Sequence, residues 1–222
     1  MKRIDDRKQD NERQYCIFYI VRHGETEGNV KRILQGHSDF PLTEEGIKQA
    51  QKTAQILKQV KFDQAFSSDL LRARRTAEII ALEHKIIVKT SKLLRERSFG
   101  RLEGKSYEEY VNELVEIILQ YEALSEKEKF SFKFREDIES DEEIIRRFIT
   151  FLREVAVAYA GKTILIVSHG GMMRSLLIHL GFGTYKTLLP GAVKNLGYIK
   201  LESDGVDFFI KETEGIDNFR AI

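Results

Sequence analysis

The chain has one cysteine in 222 residues, so no intramolecular disulfide can form. Cys16 lies inside an apolar run, where a buried free thiol is the ordinary outcome. That pattern suits a reducing compartment, and a cytoplasmic location is expected. Long hydrophobic runs are also lacking: the apolar stretches reach only five to seven residues, against roughly 20 needed to cross a bilayer. No membrane segment is expected. Charge of one sign is lacking too, because 36 Lys and Arg stand against 35 Asp and Glu. A net charge of +1 gives no global field for nucleic acid or an anionic membrane, yet it leaves room for a small anion in a local pocket. The five histidines show neither H-E-x-x-H nor another compact ligand spacing, so no metal and no other cofactor is expected. Residues 1–14 carry nine charges of both signs and no apolar core of a secretory signal, and they read as a flexible charged leader.

Low-complexity tracts are missing and only one internal echo is present. Phe18-Tyr19-Ile20-Val21-Arg22-His23-Gly24 and Ile164-Leu165-Ile166-Val167-Ser168-His169-Gly170 are both apolar runs rich in β-branched residues that stop at His-Gly. Each reads as a buried strand that delivers a histidine to its C-terminal end. In open α/β sheets that edge is where ligands bind.

The rest of the chain fits such a sheet. Pro41-Leu42-Thr43 opens a helix with Ile47, Ala50, Ala54 and Leu57 on one face, Phe62 to Phe66 is the next strand, and Ser67-Ser68-Asp69 offers caps for a helix carrying Leu70, Ala73, Ala77 and Ile80. A third short strand is expected over 86–88. The rhythm then changes to helix without strand over 107–118, followed by an acid-rich stretch in which Phe130, Phe132 and Phe134 alternate as in a short strand or a lid. A capping box at Ser140 to Glu143 starts an amphipathic helix, and Asp204-Gly205 marks a closing hairpin at the sheet edge. The expected fold is α/β: a three-layer α/β/α sandwich with a mostly parallel central sheet and an inserted, mainly helical cap. Residues 15–222 form one domain, with the cap at about 97–140.

Neutral imidazole attacks phosphorus well when one ring nitrogen is free and the other is fixed as N–H. Arg22 adjoins His23, and Arg72 lies in the first turns of a helix leaving the same sheet edge, so two guanidinium forks can hold one phosphoryl group. A lone arginine at a helix start is ordinarily a solvated side chain, and a lone histidine at a strand end is ordinarily structural. The paired His-Gly edge reverses both expectations. A leaving alkoxide needs a proton donor. Glu96 is the candidate, with Glu25 as the competing acid and a surface pair with Arg95 or Arg97 as the bland alternative for Glu96.

Val21-Arg22-His23-Gly24-Glu25-Thr26 with Asn29, Gln35-Gly36 and Pro41-Leu42-Thr43 resembles the histidine phosphatase superfamily, also called phosphoglycerate-mutase-like. So do Ser67-Ser68-Asp69-Leu70 through Arg72-Ala73, Leu94 to Glu96 with Gly100 and Glu103-Gly104, and Ser168-His169-Gly170-Gly171. The resemblance implies that His23 is phosphorylated, that Arg22, Arg72 and His169 hold the phosphoryl group, and that Glu96 protonates the leaving group and then activates water. It also implies phosphate contacts from Asn29 and the Gly170 N–H, and no need of metal.

Leu94 to Lys105 looks like the phosphatase branch rather than the cofactor-dependent mutases, and it is similar to fructose-2,6-bisphosphatase-type regulators. The implied activity is metal-independent hydrolysis of small phosphate monoesters: sugar phosphates, bisphosphates or phosphoglycerates. Gln35, Gly36, Arg97 and Lys105 join the substrate contacts, and Arg97, Lys105, Lys133 and Arg135 are available for a second phosphate. A phosphoglycerate mutase and a noncatalytic phosphate-reading binding protein are the alternatives, and association as a homodimer is left open. Gly100 to Ser106 is one residue short of a P-loop and follows no strand, and Ser168 lacks the glycines of a serine hydrolase elbow.

Overall fold

The computed structural model describes residues 14–218. The expected charged leader therefore lies, except for Gln14, outside the described residues. In chain order the elements are β1 (Cys16–Arg22), α1 (Glu27–Val30), α2 (Glu44–Ile56), β2 (Gln64–Ser68), α3 (Leu71–His84) and β3 (Val88–Ser91). After two short 3-10 turns come α4 (Tyr107–Glu113), α5 (Val115–Glu122), α6 (Glu126–Ser131), α7 (Asp141–Ala158), β4 (Thr163–Ser168), α8 (Gly170–His179), β5 (Val193–Ser203) and β6 (Phe208–Ile216).

The six strands form one sheet in the order β3-β2-β4-β1-β5-β6. The first four are mutually parallel, while β5 and β6 close the edge as an antiparallel hairpin. Side chains alternate across a strand, and here the two sets serve two cores. Phe18, Ile20, Ile164 and Ile166 pack under α7 and α8 with Phe148 and Leu152, whereas Tyr19, Val21, Leu165 and Val167 pack under α2 and α3 with Ala73 and Ile80. That is the three-layer sandwich. Phe148 is fully buried, so its truncation to alanine would cost about 3–5 kcal/mol.

Local signals set the helix starts. Thr43 accepts the Gly46 N–H at 2.9 Å, and Ser140 with Glu143 makes a reciprocal capping box for α7. The cap for α3 differs from expectation. Ser67 and Ser68 finish β2, Leu70 is the cap residue without a side-chain bond, and Asp69 turns away to a two-pronged ion pair with Arg95 at 2.7 and 2.6 Å.

The third strand runs from Val88 rather than over 86–88, and the helix expected over 107–118 is broken at Leu114. Leu114 turns inward instead to a small apolar cluster with Leu102 and Ile138, a separate core for the helical segment over the sheet edge. Phe130, Phe132 and Phe134 form no strand. Phe130 ends α6 stacked on His179 at 5.6 Å, and the other two rings gather on Tyr121 at 5.5 and 4.9 Å. Ring contacts, not sheet pairing, explain the alternation.

Candidate active site

β1 and β4 are adjacent and parallel, with Arg22 opposite Ser168, so His23 and His169 leave the same edge side by side. Their ring centroids are 5.2 Å apart. His23 is 3% exposed, and its Nδ1 lies 2.7 Å from the Gly24 carbonyl. A carbonyl can only accept, so Nδ1 carries the proton and Nε2 keeps its lone pair. The backbone around it is fixed: the Gly24 N–H donates to Thr76 Oγ1 at 3.0 Å, and the Asn195 amide donates to the His23 carbonyl at 2.9 Å. A Cβ on Gly24 would come within 2.6 Å of the Gly46 carbonyl oxygen, so this crossing over the start of α2 needs glycine.

Arg72 is 1% exposed and donates to the Gly36 carbonyl at 2.7 Å and the Ser38 carbonyl at 2.8 Å. Arg22 donates to the Val193 carbonyl at 2.5 Å. Arg22 Nε, Arg72 Nε and both ring nitrogens of His169 are buried without a protein partner. Buried polar groups normally find partners, so this concentration of unused nitrogen beside His23 marks a place built for an anion. Burial, then the charge on Arg72, hold both histidines well below their usual range; Arg22 adds to this at each, and His23 itself adds to it at His169. Both rings are thus neutral. Burial also draws Arg72 down to about 10, opposed first by Glu96.

The Glu96 carboxylate accepts three backbone N–H groups: Arg97 at 2.8 Å, Gly171 at 2.9 Å and Met172 at 3.1 Å. Two belong to the first turn of α8. A side chain on Gly171 would meet Glu96 Oε1 at 2.6 Å. The surface-pair alternative for Glu96 is overturned, because Arg95 is taken by Asp69 and Arg97 by Asp141. Glu25, the competing acid, accepts the Thr43 hydroxyl at 2.8 Å and does not line the cavity. The loop carrying Glu96 is clamped from α7. Arg147 donates to the carbonyls of Leu93 at 2.9 Å, Arg95 at 2.6 Å and Glu96 at 2.8 Å, and His37 donates to the Glu96 carbonyl at 2.8 Å.

These groups border one cavity of about 590 Å³, within the range of small-ligand sites. Arg22, His23, Arg72 and Glu96 line it, as do Asn29, Gln35, Gly36, Gly170 and Arg97, while His169 lies fully buried edge-on to His23. Lys105 departs from expectation: it points away from the cavity into an ion pair with Glu113 at 2.6 Å. Lys133 and Arg135 do likewise, with Glu143 and Asp137, both at 2.9 Å. Arg97 reaches the cavity but is bound to Asp141, whose carboxylate also accepts the Ser175 and Tyr185 hydroxyls, each at 2.6 Å. Burial lowers the Arg97 guanidinium, but Asp141 and Glu96 outweigh it and hold it above the ordinary value.

Several lining residues escaped the sequence reading. Arg174 stands one turn beyond Gly170, a spacing that puts both on one helix face and was a usable signal. Lys129 and Tyr121 of the cap and Tyr185 before β5 had none, since only folding brings them to the site.

The carboxyl edge of this mostly parallel sheet thus gathers two histidines, a buried and a half-buried arginine and a carboxylate at one cavity of an α/β protein. The family model for the histidine phosphatase superfamily, branch 1, matches residues 18–214, and the chain belongs to that superfamily. It is 38% identical over 170 residues to phosphoglycerate mutase-like protein 4 of Arabidopsis thaliana, covering 73% of this chain and 70% of the relative. A broad-specificity phosphatase of Saccharomyces cerevisiae is 32% identical over 192 residues, covering 80% of this chain and 76% of the relative. The solved structure of Bacillus stearothermophilus YhfR superposes with a TM-score of 0.78 at 27% identity, covering 90% of this chain and 97% of that one. Among the described residues, no helix is long and apolar enough to cross a membrane.

Proposed function

We propose that this chain is a phosphate monoester hydrolase that works through a phosphohistidine on His23 and needs no metal. The observation that carries this reading is the free Nε2 of His23, a cavity-lining ring, beside Arg22 Nε, Arg72 Nε and both His169 ring nitrogens, which are buried without a partner. The naming of one relative as a broad-specificity phosphatase supports it. In the first step Nε2 attacks phosphorus and the bond from phosphorus to the ester oxygen breaks. Arg22, Arg72 and His169 take up the charge of the three equatorial oxygens. Glu96 gives its proton to the departing alkoxide, which leaves as the alcohol. In the second step Glu96 removes a proton from water, the hydroxide attacks phosphorus, the P–N bond breaks, and inorganic phosphate leaves with His23 restored. Asn29 and the Gly170 N–H are further oxygen contacts. Of the donors considered for a second phosphate, Lys105, Lys133 and Arg135 face carboxylates elsewhere, which favours monophosphates over bisphosphates.

The test is hydrolysis of an aryl phosphate in excess chelator, with His23→Ala alongside, and quenching in alkaline detergent to capture a protein-bound phosphoryl group that is stable in base and labile in acid. Turnover and the adduct should both vanish in the variant. Turnover that persists in His23→Ala, or that collapses on chelation, defeats the reading. Formation of 2-phosphoglycerate from 3-phosphoglycerate in place of phosphate release would assign a mutase instead.

A further inference from the structure

The pairing of β5 with β6 is interrupted beside the site. Between the partners Val193 and Ile216 and the partners Tyr198 and Glu214, β5 carries residues 194–197 against Gly215 alone. The extra residues bulge out of the ladder, a device that re-aims side chains where it occurs next to a ligand site. Leu196 takes the left-handed conformation there, with φ at 60°, which strains any residue bearing a Cβ. A Cβ on Gly197 would come within 2.8 Å of the Gly215 carbonyl oxygen. Backbone of this kind persists only where the surrounding contacts fix it.

Those contacts lead to the reacting groups. The Val193 carbonyl, at the foot of the bulge, accepts Arg22 at 2.5 Å. The Asn195 side chain lies 2.9 Å from the His23 carbonyl, which can only accept, so the atom facing it is Nδ2. The same nitrogen lies 3.4 Å from Asn29 Oδ1, a longer contact for its second proton. Asn29 is oriented by a similar rule: the Thr26 backbone N–H donates to it at 3.1 Å, a bond only the amide oxygen can receive. Its Nδ2 takes no part in these bonds and is left for an oxygen in the cavity that Asn29 lines. One amide nitrogen thus touches both the residue that carries the nucleophile and the side chain assigned to the phosphoryl group.

We propose that Asn195, set in place by the β5 bulge, is a positioning residue that ties the His23 main chain to the Asn29 amide, so that nucleophile and oxyanion contact keep one mutual geometry. This rests on the hydrolase reading for its effect on rate, and only on the anion site for its effect on binding. The tie acts on attack and on the phosphoryl oxygens. Its loss should therefore be indifferent to the leaving group, unlike removal of the Glu96 acid.

The experiment compares Asn195→Ala with Asn195→Asp, which keeps the shape but lacks both N–H donors, each checked for folding by thermal unfolding. Asn195→Ala should lower kcat/KM about tenfold or more, by the same factor for an alkyl and an activated aryl phosphate, and Asn195→Asp should lower it at least as far. Calorimetric affinity for tungstate, a tetrahedral oxyanion that needs no turnover, should weaken about threefold or more in both. Combined with Asn29→Ala, the loss of tungstate affinity should fall short of the product of the single losses by about twofold or more, whereas the kcat/KM losses of Asn195→Ala and Glu96→Gln should multiply. Wild-type kcat/KM and tungstate affinity in a folded Asn195→Asp would overturn the tie, as would losses that simply multiply with Asn29→Ala or that are confined to alkyl esters. If the wild type hydrolyses no ester yet tungstate binding weakens and couples as stated, the hydrolase reading fails and the tie stands.

Discussion

The two His-Gly strand ends are near copies in sequence and neighbours in space, yet the fold makes different things of them. After β1 the chain enters a loop, and the Gly24 carbonyl seizes Nδ1 of His23, which fixes one tautomer and leaves one lone pair directed outward. After β4 the chain enters α8 at once, with His169 as its N-cap residue, and neither ring nitrogen of His169 is held. A pinned ring suits attack, which demands a single geometry. An unpinned ring suits donation to an oxygen that arrives and departs. The difference comes from the path of the chain beyond each glycine, a loop in one case and a helix in the other, and not from the histidines.

That contrast can be broken by removing each ring in turn. His23→Ala should lower kcat by about 10⁴-fold or more, with no covalent adduct, because it removes the imidazole assigned to the bond to phosphorus. His169→Ala should lower kcat by about 10² to 10³-fold while still forming the adduct, as expected for one lost donor to developing charge. Rapid-quench measurement of the adduct separates the two, and equal losses with no adduct in either would erase the distinction. Glu96→Gln should cost about 10² to 10⁴-fold with alkyl esters and far less with an activated aryl ester, since only the former needs a proton at the leaving oxygen.

Arg147→Met should lower kcat by about tenfold, with mainly the same dependence on leaving group as Glu96→Gln, because its direct contacts are with the loop that carries Glu96. A loss shared evenly by alkyl and aryl esters would make Arg147 a stability residue only. The smallest effect is on stability. The folded chain keeps His23 and His169 neutral well below 6.5, the value near which the unfolded chain protonates them. The unfolded state thus binds more protons, and stability falls as pH drops through about 6.5, with a limiting slope of about 1.4 kcal/mol per pH unit for each ring. Urea titrations between pH 7.5 and 5 should show a flatter dependence in the His23→Gln/His169→Gln double variant. An unchanged slope would mean the rings are not buried neutral.

The sheet and the phosphoryl end of the cavity were legible because they rest on short-range grammar. Strand runs ending at His-Gly, the arginine beside His23 and the helix start bearing Arg72 each carry their meaning within a few residues. Where this grammar failed, a distant partner intervened. Asp69 reads as a cap until Arg95 arrives from 26 residues away. Lys105 reads as a phosphate donor until Glu113 folds back on it. Phe132 and Phe134 read as a short strand or a lid until Tyr121 gathers them. The cap residues that reach the cavity depend on such pairings, so its share of the cavity stayed hidden.

The buried Asp141 carboxylate joins four pieces of chain: the Glu96 loop through Arg97, the start of α7 on which it sits, the middle of α8 through Ser175, and the segment before β5 through Tyr185. Burial alone would raise its pKa, but Arg97 and the two hydroxyls more than reverse that and keep it ionised. One ionised carboxylate thus ties the Glu96 loop to α7, α8 and the approach to β5, so its removal would loosen four separate pieces of the chain at once.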